Sequence, residues 1–161
     1  FEQIFSPETA YQITSLLEGA VQRGTGRGLK DLKLDLAGKT GTTNKNTDTW
    51  FIGFTSKLVI GVYVGFDEPQ TLGKKETGAK TAMPIFKEFV KIAVKKKDAR
   101  PFKVADKITM MVIDPKTGKK ASFGTKKTII EAYKKDKIEK KNASNLKINN
   151  ILKNSNILRF Y

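Results

Sequence analysis

Five consecutive residues, Lys39-Thr40-Gly41-Thr42-Thr43, gather donors of the kind that grip an anion. Lys39 brings a compact positive charge, Thr40 and Thr42 bring hydroxyls, and Gly41 lets a ligand backbone come close. Together they suit a carboxylate lying beside a strand edge. The chain has no histidine, which removes the usual general base and the commonest metal ligand. It has no cysteine, so neither a thiolate nor a disulfide enters. An acyl-transfer reaction in such a chain would need a lysine or a carboxylate as its base. Each residue also has an ordinary reading: Lys39 on the surface, Thr40 and Thr42 as strand formers, Gly41 at a bulge. Asp48 and Trp50 read as structural, an aspartate at a turn and a core aromatic. Thr25 reads as a turn former, with lining of the site as its second reading.

Three other patterns lead elsewhere. Gly38-Lys39-Thr40 looks like the end of a phosphate-binding loop, but that motif needs a glycine where Lys33 stands. Gly24-x-Gly26 resembles a dinucleotide fingerprint, yet it follows a helical pattern and its third glycine position is Leu29. Ser144-Asn145-Leu146-Lys147 fits Ser-x-x-Lys formally, in a section of little amphipathic order downstream of Lys39, and reads as a chance match.

The elements that must position Lys39 follow from periodicity. Ser6-Pro7 starts a helix, and Ala10, Ile13, Leu16, Leu17, Ala20 and Val21 recur at helical spacing to about Arg23. The glycines at 24, 26 and 28 end it. Leu32, Leu34 and Leu36 alternate with Lys33 and Asp35, predicting an extended approach into the Lys39 strand. After a polar turn, Trp50 to Phe54 and Leu58 to Phe66 form two more strands, antiparallel because their connections are short. These two are nearly apolar throughout, which predicts a sheet covered on both faces. Ala82 to Ala93 is a second amphipathic helix, with Pro84 tolerable in its first turn. Ile108 to Ile113 is a short strand ended by the turn sequence Asp114-Pro115-Lys116-Thr117-Gly118. Residues 142–161 read as a disordered tail. The fold class is therefore α+β, an antiparallel sheet flanked by helices.

Charge is unevenly placed. The chain carries +15 overall, but residues 1–90 carry +1 and residues 91–161 carry +14. Such a basic section is most often a solvated tail, with binding to nucleic acid or anionic lipid as its alternative use. The expected organisation is 1–95 as the site-bearing part, 96–141 as a basic extension with short strands, and 142–161 as the tail. No apolar run approaches the roughly 20 residues that span a bilayer, and no signal-peptide pattern opens the chain.

Several stretches resemble one family. Ser6-Pro7-Glu8-Thr9-Ala10-Tyr11-Gln12 and Gly19 to Gly26 are similar to the helix and turn before the Lys-Thr-Gly strand of bifunctional class A penicillin-binding proteins. Ala37 to Thr43, Asp48-Thr49-Trp50-Phe51-Ile52-Gly53-Phe54 and Gly61-Val62-Tyr63-Val64-Gly65 resemble the next strands of that family. Ala82-Met83-Pro84-Ile85-Phe86 resembles its closing helix, and the match extends to about residue 135 through Ile113-Asp114-Pro115-x-Thr117-Gly118. The resemblance implies part of a β-lactamase/D,D-transpeptidase-like domain. It further implies cross-linking of peptidoglycan by serine acyl transfer, without metal or cofactor, and β-lactams acylating the same serine.

On the positions that match, the resemblance assigns Lys39, Thr40, Gly41 and Thr42 to binding the terminal carboxylate of a stem peptide. It assigns the Thr42 backbone N–H to half of an oxyanion hole. Such a donor is worth about 3 kcal/mol to a transition state. Carboxypeptidases and β-lactamases use the same Lys-Thr-Gly element. The departure is large, since nothing upstream of Lys39 fits the nucleophile's Ser-x-x-Lys or the Ser-x-Asn element. Phe1 in place of methionine points to a piece of something longer. Alone, the chain is expected to be inactive, with an N-terminal polypeptide of a split protein as a possible partner. Nucleic acid is not expected as a ligand, and membrane contact is expected only through an anchor elsewhere. The location implied is the extracytoplasmic face of the inner membrane.

Overall fold

The computed structural model describes residues 2–138. The chain divides into two compact units, one of Ile13–Lys103 and one joining Phe1–Gln12 to the segment from Val104 onward. Helix α1, Pro7–Arg23, begins in the second of these and continues into the first. Its start is capped as the sequence predicts, with the Ser6 hydroxyl accepting from the Thr9 amide at 3.3 Å. Its end is closed by the Gly24 and Gly26 amides, which both donate to the Ala20 carbonyl at 3.1 and 2.9 Å.

In the Ile13–Lys103 unit, α1 does not bury the expected leucine stripe. Ser15, Gly19 and Val21 are its buried residues, while Leu16 is 60% exposed. The small residues at 15 and 19 take the buried positions instead, with the Arg23 guanidinium lying over Gly19. The extended approach expected over Leu32–Leu36 is also corrected. Arg27–Leu32 forms a 3₁₀ helix, and Lys33 follows in the left-handed region at φ 52. The leucines still reach the core, Leu29 and Leu36 fully and Leu32 and Leu34 in part.

Three strands follow: β1 (Ala37–Thr42), β2 (Asp48–Phe54) and β3 (Val59–Gly65). They form an antiparallel sheet in the order β1-β2-β3, with Lys39 opposite Ile52 and Gly41 opposite Trp50. The hairpin between β2 and β3 closes where the Thr55 hydroxyl accepts from the Lys57 and Leu58 amides, each at 3.1 Å. Helix α2, Ala82–Ala93, packs on β2 and β3. Its Phe86 meets Phe51 with ring centroids 4.7 Å apart, and Val21, Leu29, Leu36 and Val90 complete that core. The pleat sends Thr49, Phe51 and Gly53 into it and turns Trp50 and Ile52 the other way. Trp50, Ile52 and Tyr63 are each more than 40% exposed. The sheet is thus covered on one face by described residues, not on both. Apolar content alone cannot separate a strand buried on two sides from one whose second face is open.

In the other unit, β4 (Ile108–Ile113) pairs antiparallel with β5 (Ile129–Lys134). The Gln12 amide donates to the Ala132 carbonyl at 2.9 Å, and the Lys134 ammonium donates to the Thr9 hydroxyl at 2.6 Å. After β4, the Asp114 carboxylate accepts from the Lys116 amide at 2.8 Å and from the Thr117 hydroxyl, and Gly118 takes φ +66. The expected disordered tail at 142–161, with Ser144 and Lys147, lies outside the described residues.

Candidate functional site

Among the described residues β1 is the edge strand of its sheet, so one of its two backbone sides is turned away from β2. Which side is fixed by one hydrogen bond: the Thr43 amide donates to the Asp48 carbonyl at 3.0 Å. Backbone groups alternate along an antiparallel strand, so residues 39, 41 and 43 face β2, whereas Thr40 and Thr42 point their N–H and C=O groups outward. The Thr42 amide is therefore a strand-edge donor on the outer side, the geometry that an oxyanion hole needs.

The pleat sets Lys39 on the open face with Trp50, Ile52 and Tyr63, and sets Thr40 and Thr42 on the other face. Lys39 nevertheless curls round the edge. Its ammonium donates to the Thr40 carbonyl at 2.9 Å and lies 3.4 Å from the Thr40 hydroxyl. The Thr25 hydroxyl, in the glycine turn after α1, lies 3.2 Å from that of Thr40. A cation and two hydroxyls thus meet at one point of the edge. Sequence reasoning placed Thr25 in the turn first; the short span from residue 26 to β1 was the available signal that the turn comes back beside the strand.

Thr42 is held differently. Its hydroxyl accepts from the Gly78 amide at 3.1 Å. With one lone pair so engaged, its own proton remains able to donate elsewhere. Gly78 belongs to the segment between β3 and α2, and a Cβ there would fall 2.3 Å from the Trp50 carbonyl oxygen and 2.6 Å from that of Gly41. Glycine is required by that approach to the β1–β2 ladder. The segment is tied down further along, where the Leu72 amide donates to the Asn46 carbonyl at 2.8 Å and the Thr49 and Thr81 hydroxyls share a 2.6 Å bond. Sequence reading missed Gly78, because nothing local marks one glycine in an irregular stretch as a backbone contact.

The turn after β1 is clamped by Asp48. Its backbone amide donates to the Thr43 hydroxyl at 2.8 Å, and its carboxylate accepts from the Tyr63 hydroxyl at 2.8 Å and the Thr47 hydroxyl at 2.9 Å. The Tyr63 hydroxyl, with those of Thr47 and Thr43, holds the Asp48 carboxyl below its ordinary range. Asp48 thus shapes the strand end, in agreement with its structural reading. Trp50 stacks at a tilt on Tyr63, centroids 4.8 Å apart, on the open face and not in the core.

The chain belongs to the penicillin-binding protein transpeptidase domain family, whose profile, "Penicillin binding protein transpeptidase domain", matches residues 2–91. Its similarity lies with the 1A type. It is 49% identical over 129 residues to penicillin-binding protein 1A of Rickettsia conorii, covering 80% of this chain and 16% of that protein. It is 43% identical over 136 residues to penicillin-binding protein 1A of Pseudomonas aeruginosa, covering 84% of this chain and 16% of that protein. The fold is similar to the crystal structure of penicillin-binding protein 1A from Haemophilus influenzae, with TM-score 0.70 and 36% identity over 80% of this chain and 20% of that one. The α+β class and the family resemblance read from the sequence are both borne out. The chain spans about a sixth of the length of the curated relatives named here.

Proposed function

We propose that these residues supply the Lys-Thr-Gly wall of a peptidoglycan D,D-transpeptidase site, on the C-terminal side of its domain. The stem peptide lies along the outer edge of β1. Lys39 and the hydroxyls of Thr40 and Thr42 orient its terminal carboxylate, Gly41 lets the peptide backbone approach, and the Thr42 N–H faces the scissile carbonyl oxygen. A serine attacks that carbonyl, D-alanine leaves, and an amine of a neighbouring stem peptide takes the acyl group. The serine and its base come from a Ser-x-x-Lys segment that residues 1–38 do not contain, on the same or a separate polypeptide. β-Lactams would enter the same site. In this reading residues 1–95 belong to the transpeptidase domain, 96–141 form a basic extension, and the work is extracytoplasmic.

The outward-facing Thr42 amide beside the Lys39–Thr40 cluster carries the reading. Fluorescent penicillin tests it. The purified 161-residue chain should remain unlabelled, and co-expression with a polypeptide that carries the serine segment should give labelled complex, lost with Lys39→Ala. A label on the chain alone, or one indifferent to Lys39→Ala, would overturn the assignment.

A further inference from the structure

We propose that the β4–β5 hairpin is a docking surface for an anionic phospholipid bilayer, a peripheral contact that owes nothing to any membrane-spanning anchor. The stretch that joins the two strands carries Lys116, Lys119, Lys120, Lys126 and Lys127, all exposed, against a single carboxylate, Asp114. That carboxylate is turned inward on the Lys116 amide and the Thr117 hydroxyl. None of the five lysines forms an ion pair with another described residue. The loop therefore presents concentrated positive charge that its own fold does not neutralise.

Charge alone would fit any polyanion. The apolar groups beside it narrow the choice. Phe123 stands in the same loop fully exposed, at 109% of its reference area. On the hairpin itself, Val112 pairs directly across with Ile130, and both are about half exposed, as is Met110 on the same face. A single-stranded nucleic acid would use the lysines and could stack a base on Phe123, but would leave Met110, Val112 and Ile130 in water. A bilayer interface uses both, since aromatic and aliphatic groups sink to the acyl boundary while lysines reach headgroup phosphates. Lys116, Lys126 and Lys127 also line a shallow, open cleft together with Asp114, Phe123 and Thr125.

The test is cosedimentation of the whole 161-residue chain with vesicles of phosphatidylcholine, alone or in equimolar mixture with phosphatidylglycerol. Binding is expected to the mixed vesicles and not to the neutral ones, weakening as salt is raised. Lys126→Gln with Lys127→Gln should weaken it about twenty-five-fold, each lysine near an anionic surface being worth roughly a factor of five. Phe123→Ser should weaken it severalfold with the fold intact, because that side chain is fully exposed, and circular dichroism checks this. Lys95→Gln with Lys97→Gln, which removes the same charge elsewhere, should change binding little. Equal loss in that control pair, indifference to Phe123→Ser, or binding to purified peptidoglycan or nucleic acid but not to vesicles would each overturn the proposal.

Discussion

Two carboxylates show how opposite surroundings give opposite pH behaviour. Asp48 is held below its ordinary value of 3.8 by the Tyr63, Thr47 and Thr43 hydroxyls. The folded chain therefore binds its proton less readily than the unfolded chain does. The stabilisation is complete above the ordinary value and is lost as pH falls through the lower folded one. Tyr63→Phe removes the largest contributor and should raise the Asp48 titration midpoint, read by carboxyl NMR. Glu18 is the reverse case, pushed above its ordinary 4.5 by burial and then by the charge of Asp35. Its charged form is disfavoured in the fold, so stability falls as pH rises from that ordinary value through the raised one. Glu18→Gln should raise Tm at neutral pH and leave it unchanged well below 4.5; a lowered Tm at neutral pH would contradict this.

At the scale of elements, β1 is positioned by what lies behind β2. Phe51 and Phe86 fix the sheet to α2, and neither has accessible surface. Phe51→Ala should cost about 3–5 kcal/mol in denaturant unfolding. Gly78→Ala should cost about 1–3 kcal/mol, because the added methyl meets backbone carbonyls rather than a side chain that can swing aside. Each element's visibility in the sequence followed from its physics. The three strands and α2 announce themselves through residues that repeat at strand or helix period and through short turns. β4 was visible with the Asp114 turn behind it. The Leu32–Leu36 run misled, since its alternation fits a strand while the backbone places the same leucines on the core from a 3₁₀ helix and an irregular stretch. The α1 stripe misled as well, because the buried positions are taken by the small residues Ser15 and Gly19, which hydrophobic periodicity does not register.

For the whole molecule, the site was legible as a string of residue types but not as a surface. Lys39 to Thr43 named the chemistry; that the Thr42 amide turns outward depends on the register with β2, which no local pattern contains. The open face was illegible for a related reason, since Trp50, Ile52 and Tyr63 have the composition of buried residues. In the proposed transpeptidase that face would be covered by the segment that brings the serine. Trp50 reports on it directly. Its emission should shift to shorter wavelength when the co-expressed segment is present, and an unchanged spectrum in a complex labelled by penicillin would show that the segment lies elsewhere.

The central claim is that the outer edge of β1 receives a peptide carboxylate. Amide NMR of the 161-residue chain, titrated with an N-acylated D-Ala-D-Ala peptide and with its C-terminal amide, tests it most directly. The account predicts that the free acid moves the Thr40, Gly41 and Thr42 amide signals, with weak affinity, and that both the C-terminal amide and Lys39→Gln abolish most of the movement. Signals that stay still, or that respond alike to the acid and the amide, would contradict it.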